Sequence, residues 1–272
     1  MTSGIPAFDE QPAFLAAYAA HPYQDFSEER LVSYAIGAPA TPGFHYSNTG
    51  YILAEMIIEK AARDSYEHQL YTRIIGPLGL RDMFYRPSVY PPQVTAREPA
   101  GYYFDATVSA LASLVGRDAS RFTMSWTRGA GGIISTTHDM TVWERALYSG
   151  ALLPVRQQAE LMSLVSEKTG QPIEQTSPDD LVGFGLGVQQ QATKDIGTIW
   201  LYEGGTAAFR TIHVYVPKSG VILAIGLNSY TTPNSDTATP DHLGGLVGTV
   251  YQTLVQRGAI SGLPAPRHAG RP

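Results

Sequence analysis

The residues with most chemical capacity in this chain stand between Phe44 and Tyr51. The string Phe44-His45-Tyr46-Ser47-Asn48-Thr49-Gly50-Tyr51 places an imidazole, a phenol, a hydroxyl and a carboxamide side by side. A serine hydroxyl attacks an acyl carbonyl only when a nearby base takes its proton. His45 and Ser47 stand two positions apart and do not present such a pair, and the chain has no Gly-x-Ser-x-Gly turn to expose a nucleophile. The plainer reading of the same string is a buried Tyr46, a helix-capping Ser47 and its neighbour Asn48. A second cluster is Tyr202-Glu203-Gly204-Gly205-Thr206, whose plainer reading is a glycine-rich strand end packed closely on a helix. His45, His138 and His213 are scattered without metal-ligand spacing. There is no cysteine, hence no thiol nucleophile, disulfide or thiolate metal site, and no cofactor is expected.

These clusters need elements to hold them. A helix is expected near Pro12–Ala20, and another from an N-cap at Ser27 to about Ile36 with Gly37 as its stop. An amphipathic helix follows the Tyr46 string, with Leu53, Met56, Ile57 and Ala61 on its inward face and Glu55 and Glu59 elsewhere. A further helix runs from Ser65 to about Ile75 and ends at Gly76-Pro77. Residues 84–125 read as long surface loops with a little helix. Gly129–Gly132 is a glycine turn, and Thr136-Thr137-His138-Asp139 starts a helix through Tyr148. The last third changes character: Leu186–Gln191, Gly197–Tyr202, Phe209–Val216 and Val221–Asn228 read as an antiparallel meander with a turn at Lys218-Ser219-Gly220. A helix over Asp241–Gln256 follows, then a disordered Pro/Gly/Arg-rich tail over 263–272. Residues 1–262 make one α+β domain, an antiparallel β-sheet flanked by helices.

Composition narrows the function. The chain has 272 residues and a net charge of -5, without any Lys/Arg cluster, so no nucleic acid is expected as partner. The longest apolar runs, such as Val221–Leu227, are too short to span a membrane. Met1–Pro6 has neither the charged nor the apolar region of a signal peptide, and the sequence names no compartment.

The string around Tyr46 resembles the second catalytic motif, Tyr-x-Asn, of the penicillin-recognising serine hydrolases: class C-type β-lactamases, D-alanyl-D-alanine carboxypeptidases and related esterases. Four more segments match in the expected order. Met1-Thr2-Ser3-Gly4-Ile5-Pro6 is similar to a Thr-Ser-Gly segment, and Ala130–Met140 to an Ala-Gly-Gly segment that ends in Ser-Thr-x-x-Asp. Gly204-Gly205-Thr206-Ala207-Ala208-Phe209 is similar to the Gly-Gly-Thr-Pro-Gly-Phe after the third motif. Asn228-Ser229 is similar to the Asn-Ser that closes the next strand. The resemblance implies an acyl-enzyme mechanism on a small-molecule or peptide acyl substrate, with Tyr46 as base and Asn48 holding a lysine and the substrate carbonyl. Tyr202, Gly204, Gly205 and Thr206 then form the substrate side, and Gly205 lends its N–H to the oxyanion.

Two departures matter. The family's nucleophile lies in Ser-x-x-Lys, and no serine stands three positions before Lys60, Lys168, Lys194 or Lys218. The chain therefore reads as starting downstream of the first strands and the nucleophile helix, and as inactive on its own. A phenol with a reference pKa of about 10 acts as base near neutrality only beside cations, so Tyr46 is expected to be a neutral phenol. Secondly, Tyr202 replaces the usual Lys or His of the third motif, and Glu203 beside it repels carboxylates, which favours a neutral ester or amide. Lys168-Thr169-Gly170 spells a third motif by chance or as a helix C-cap after a helical run over Gln158–Val165. Arg128, before the glycine turn, reads as a solvated loop charge, with a place lining a cleft as the alternative. The alternative is a non-catalytic protein that keeps the cleft for ligand or partner recognition, with a partner chain covering the apolar core that a missing helix leaves bare.

Overall fold

Helix-start chemistry sets the first third of this computed structural model, which describes residues 1–86, 88, 90–231 and 243–260. Helix α1 (Pro12–Ala20) opens on a proline, whose missing N–H is no loss in a first turn. Helix α2 (Glu28–Ala35) opens at Ser27, whose hydroxyl accepts from the Arg30 N–H at 3.3 Å, and Gly37 beyond its end takes φ 84°. Helix α3 (Asn48–Ala62) follows the Tyr46 string, and α4 (Tyr66–Leu70), capped by Ser65, runs on into a π-helical turn over Tyr71–Ile75. Phe8, Phe14, Tyr18, Phe26, Leu31 and Ile52 form the core of this lobe. Phe14 is its hub, edge-on to Phe8 at 5.0 Å and 5.5 Å from Phe26.

The inward face of α3 differs from the expected one. Thr49, Ile52 and Glu55 are buried, whereas Ile57 and Ala61 are exposed and Leu53 is only half-buried. The helix is rotated toward the side on which Glu55 finds polar partners, and a satisfied carboxylate tolerates burial. Residues 84–125 also depart from surface loops. They carry strand β1 (Phe84–Tyr85), short helix α5 (Pro92–Thr95), strand β2 (Tyr102–Tyr103) and a 3-10 turn over Ser109–Leu114. Tyr85, Tyr90, Tyr103, Leu114 and Phe122 are buried. Apolar bulk without periodicity fills a core by single anchor residues, which pattern reading does not register.

Strand β3 (Ile133–Ile134) pairs with β1, and helix α6 (Thr137–Tyr148) then starts at Thr136, whose hydroxyl accepts from the Asp139 N–H at 3.2 Å. Helix α7 (Val155–Leu161) ends before β4 (Leu164–Ser166), so the expected helical run over Gln158–Val165 stops at Leu161 and its last two residues are strand. Strands β5 (Pro172–Ile173), β6 (Val182–Phe184), β7 (Gln189–Thr193), β8 (Gly197–Gly205), β9 (Arg210–Val216) and β10 (Val221–Leu227) complete an antiparallel sheet of order β10-β9-β8-β7-β6-β4-β5. The expected meander is its β7–β10 half, although Leu186–Val188 precede the strand proper. A last short strand, β11 (Ser229–Tyr230), pairs in parallel with β2.

Helices cover both faces of the sheet, so the architecture is α+β. Helix α8 (Leu243–Gln256) lays Leu243, Val247 and Tyr251 over Ile199, Leu201, Ile212, Val214 and Val216. The expected first residues of that helix, 241 and 242, and the tail over 263–272 lie outside the described residues. Along the inner part of α8 a groove of about 780 Å³ remains against the sheet. On the opposite face α6 packs Leu147 against Trp200, and Tyr148 stacks on Tyr215 at 5.0 Å. Among the described residues no helix is long and apolar enough to cross a membrane.

Candidate active site

The N-terminal segment ties down the Tyr46 string. His45 N–H donates to Met1 O at 2.9 Å, Thr49 Oγ1 donates to Pro6 O at 2.7 Å, and Phe8 N–H donates to Thr49 Oγ1 at 2.9 Å. This fixes the first turn of α3 and aims Tyr46 at the sheet. Tyr202, central in β8, meets it there: Tyr202 Oη donates to Tyr46 Oη at 2.9 Å, and Tyr51 Oη lies 3.4 Å from Tyr202 Oη. Phe184 from β6 packs between them, 6.0 Å from the Tyr46 ring and 5.9 Å from that of Tyr202. Two residues 156 positions apart in the chain, both expected in the site, are thus hydrogen-bonded.

Burial pushes the phenols of Tyr46, Tyr51 and Tyr202 above their ordinary value. At Tyr46 the hydrogen bond from Tyr202 opposes that rise, and the Asp9 carboxylate adds to it. All three are neutral at pH 7, as the absence of a neighbouring lysine led us to expect for Tyr46.

Asn48 does not face the same space. Its Nδ2 donates to Asp9 Oδ2 at 2.7 Å, while Asp9 Oδ1 is buried without a hydrogen-bond partner. Burial raises the Asp9 carboxyl, and the Asn48 amide works against that rise. Ser47 precedes α3, but its hydroxyl makes no cap bond and is buried without a partner. Gly204 and Gly205 close β8, where a Cβ on Gly205 would stand 2.8 Å from the Tyr230 ring. Thr206 Oγ1 accepts from the Ala208 and Phe209 N–H groups, each at 3.2 Å, and so holds the turn into β9. Glu203 is paired with Arg210 Nη2 at 2.9 Å, which offsets the repulsion expected from it. Lys168-Thr169-Gly170 lies in the turn between β4 and β5, not at a helix end, and Gly170 with φ 69° packs on the backbone of Phe44.

The glycine turn after Arg128 forms the opposite wall. Arg128 is half-buried, in contrast to the expected solvated charge. Its Nη1 pairs with Glu28 and lies 3.9 Å from Glu55 Oε1. Glu55 Oε2 accepts from Gly129 N–H at 2.6 Å, and Oε1 accepts from Tyr85 Oη at 3.1 Å. A cavity of about 190 Å³ opens between this turn, α3 and β8, and Tyr46, Tyr51, Tyr66, Tyr85 and Tyr202 line it. Of the expected site residues, Tyr46 and Tyr202 reach its wall, whereas Asn48, Gly204, Gly205 and Thr206 do not. Tyr66, Tyr85 and Glu55 were missed; no motif marks them, and only the density of tyrosines along 46–85 hints at a shared aromatic lining. The three histidines each lie against a different carboxylate: His45 on Glu10, His138 on Asp139 and His213 on Glu144. Among the described residues no group of acidic and imidazole side chains could hold a metal ion.

Comparison with known proteins bears on the family and the fold. A penicillin-binding protein of Bacillus subtilis is 26% identical over 220 residues, which span 78% of this chain and 46% of that protein. A protein of Salmonella gallinarum described as a putative D-alanyl-D-alanine carboxypeptidase is 28% identical over 152 residues, 52% of this chain and 34% of that one. The chain thus spans about half or less of the length of these relatives. The crystal structure of a D-stereospecific amidohydrolase from a Streptomyces species superposes with a TM-score of 0.71 and 28% identity, covering 84% of this chain and 65% of that one. A D-amino acid amidase from Ochrobactrum anthropi shares the fold, with a TM-score of 0.73 at 21% identity over 94% of this chain and 69% of that one. The family model for β-lactamases matches residues 1–245. That match contains both strings whose phenols meet at 2.9 Å, and the chain belongs to the β-lactamase family.

Proposed function

We propose that these residues form the substrate wall of an acyl-transfer site that hydrolyses esters or amides of small molecules or peptides through an acyl-enzyme. The observation that carries this reading is the 2.9 Å contact between Tyr46 and Tyr202, which joins the second-motif turn to the third-motif strand. The names of the relatives, a D-stereospecific amidohydrolase and a putative D-alanyl-D-alanine carboxypeptidase, favour a D-configured acyl donor. Tyr46 is the base of this site only when an ammonium stands beside it and lowers its phenol. It then takes the proton of a serine as that hydroxyl adds to the acyl carbonyl, and passes the proton to the leaving group. The 272 residues contain no Ser-x-x-Lys, so the serine and lysine come from outside them, in the same or a second chain that also covers apolar surface. Alone, the chain binds acyl ligands without acylation. The neutral state of Tyr46 favours that second reading for the isolated chain.

The test is to read the coding DNA in frame upstream of Met1 and to assay both products with p-nitrophenyl esters. We expect an in-frame Ser-x-x-Lys, a longer product with a nitrophenol burst that Tyr46→Phe abolishes, and no burst from the 272 residues. A burst from the 272-residue chain, or a longer product indifferent to Tyr46→Phe, overturns the assignment.

A further inference from the structure

Helix α6 carries an acid down onto the sheet. Glu144 is 1% exposed, and neither of its carboxylate oxygens has a hydrogen-bond partner. His213 of β9 faces it, with Nδ1 3.3 Å from Glu144 Oε1 and likewise without a hydrogen bond. Burial raises the Glu144 carboxyl, and the imidazole works against that rise. An apolar side chain of similar volume would fill the space without desolvating a carboxylate, so stability does not account for the pair.

The surroundings of His213 supply an account. It is the cross-strand partner of Tyr202 on β8, so the two side chains leave the same face of the sheet. Their ring centroids lie 6.5 Å apart, with the planes 21° from parallel. Ala224 of β10 is the next residue in that row, and its single methyl group leaves α6, which packs over β9 and β10, room to bring Glu144 to the imidazole. On the other flank of β8, Phe184 of β6 stands edge-on to the Tyr202 ring at 5.9 Å. The Tyr202 ring thus has a ring on either side while its hydroxyl donates to Tyr46. A hydrogen bond weakens steeply as its donor swings out of line, so whatever fixes the Tyr202 ring also fixes that contact. We infer that Glu144 and His213 are positioning residues: Glu144 anchors the imidazole, the imidazole holds the Tyr202 ring, and Tyr202 thereby keeps its hydroxyl on Tyr46. Only the consequence for catalysis rests on the acyl-transfer reading; the clamp stands on the contacts themselves.

Exchange of tyrosine hydroxyl protons in the 272-residue chain tests the clamp, read by nuclear magnetic resonance with Tyr202 assigned through Tyr202→Phe. The Tyr85 hydroxyl, hydrogen-bonded to Glu55 on the opposite wall, is the internal reference. His213→Asn removes the ring but keeps a polar group opposite Glu144. Glu144→Leu keeps the volume and removes the anchor, whereas Glu144→Gln keeps both the volume and a group that can hydrogen-bond the imidazole. We expect His213→Asn and Glu144→Leu to speed exchange at Tyr202 at least about tenfold relative to Tyr85, and Glu144→Gln to stay within about twofold of the wild type. If Tyr202 moves no more than Tyr85 in His213→Asn, the pair merely braces α6 on the sheet and the inference is overturned. A Glu144→Gln chain that exchanges as fast as Glu144→Leu also overturns it. So does a wild-type Tyr202 hydroxyl that exchanges as fast as that of exposed Tyr23. Should Glu144→Leu fail to fold, His213→Asn decides alone. In a longer product with the acylating serine, His213→Asn is expected to slow the nitrophenol burst severalfold and to leave the ester concentration at half-maximal rate unchanged. Absence of any burst leaves the clamp standing, and a Tyr202 hydroxyl indifferent to His213 leaves the acyl-transfer reading standing.

Discussion

Tyr202 holds its hydroxyl 2.9 Å from Tyr46 Oη, at the position where the third-motif resemblance implies a Lys or His. A phenol there hydrogen-bonds but brings no charge, so burial outweighs that hydrogen bond at Tyr46 and keeps it protonated. Tyr202→Lys reverses that balance. An ammonium within a few ångströms favours the phenolate, by roughly one to three pH units for a close pair. We expect the ionisation of Tyr46 in Tyr202→Lys to fall by at least about one unit, read by ultraviolet difference titration against the Tyr46→Phe/Tyr202→Lys double variant. An unchanged or higher titration would show that the new ammonium does not reach Tyr46. At this scale, Tyr46 and Tyr202 were legible because a short string marks each. Glu55 and Arg128 were not. Helical periodicity sends an acidic residue to solvent, and the groups that make Glu55 buriable lie 74 and 30 positions away, at Gly129 and Tyr85.

Elements place the site through close backbone approaches, and glycines report where these are. A Cβ on Gly129 would stand 2.8 Å from Tyr51 O and 2.9 Å from Glu55 Cβ, so the turn after Arg128 sits directly on α3. Gly244 in α8 has nothing within 4 Å of its would-be Cβ. The same substitution therefore has opposite signs. Gly129→Ala overpacks and is expected to destabilise by about 1–3 kcal/mol. Gly244→Ala removes backbone freedom inside a helix and is expected to stabilise by about 0.5–1 kcal/mol. Urea midpoints at unchanged slope decide it. Two shifts of the same sign would mean that the α3–turn contact or the open flank of α8 is misjudged. Elements with strong local signals were readable in the sequence: capped α2 and α6, and the long β8, β9 and β10. Strands β4, β5 and β6 have only two or three residues each, too few for a period of two to show. They exist because β7 offers an edge to β6, β6 one to β4, and β4 one to β5.

At the scale of the molecule, buried phenols set how stability responds to alkali. Burial raises Tyr18, Tyr46, Tyr51, Tyr66, Tyr85, Tyr90, Tyr103, Tyr148 and Tyr202 above the ordinary phenol value, with Tyr66 pushed up to about 12. These tyrosines are spread over the helical lobe, the cavity and the α6 face of the sheet, so no single element carries the effect. The sign follows from proton binding. Below the unfolded value both states hold the phenolic protons, and the stability they allow is fully present. Above it the unfolded chain releases them while the folded chain retains them, so each further pH unit favours unfolding by about 1.4 kcal/mol per buried phenol. Several such groups acting together exceed the whole stability of an ordinary domain within one or two pH units. We therefore expect urea midpoints to be untouched by tyrosine ionisation below about pH 9 and to fall steeply above pH 10. Phenolate absorbance from the buried set should then rise together with the loss of far-ultraviolet circular dichroism, in one transition. If those phenols ionise near pH 10 while the circular dichroism is intact, water reaches them in the folded state. The raised ionisation of Tyr46 would fall with that result.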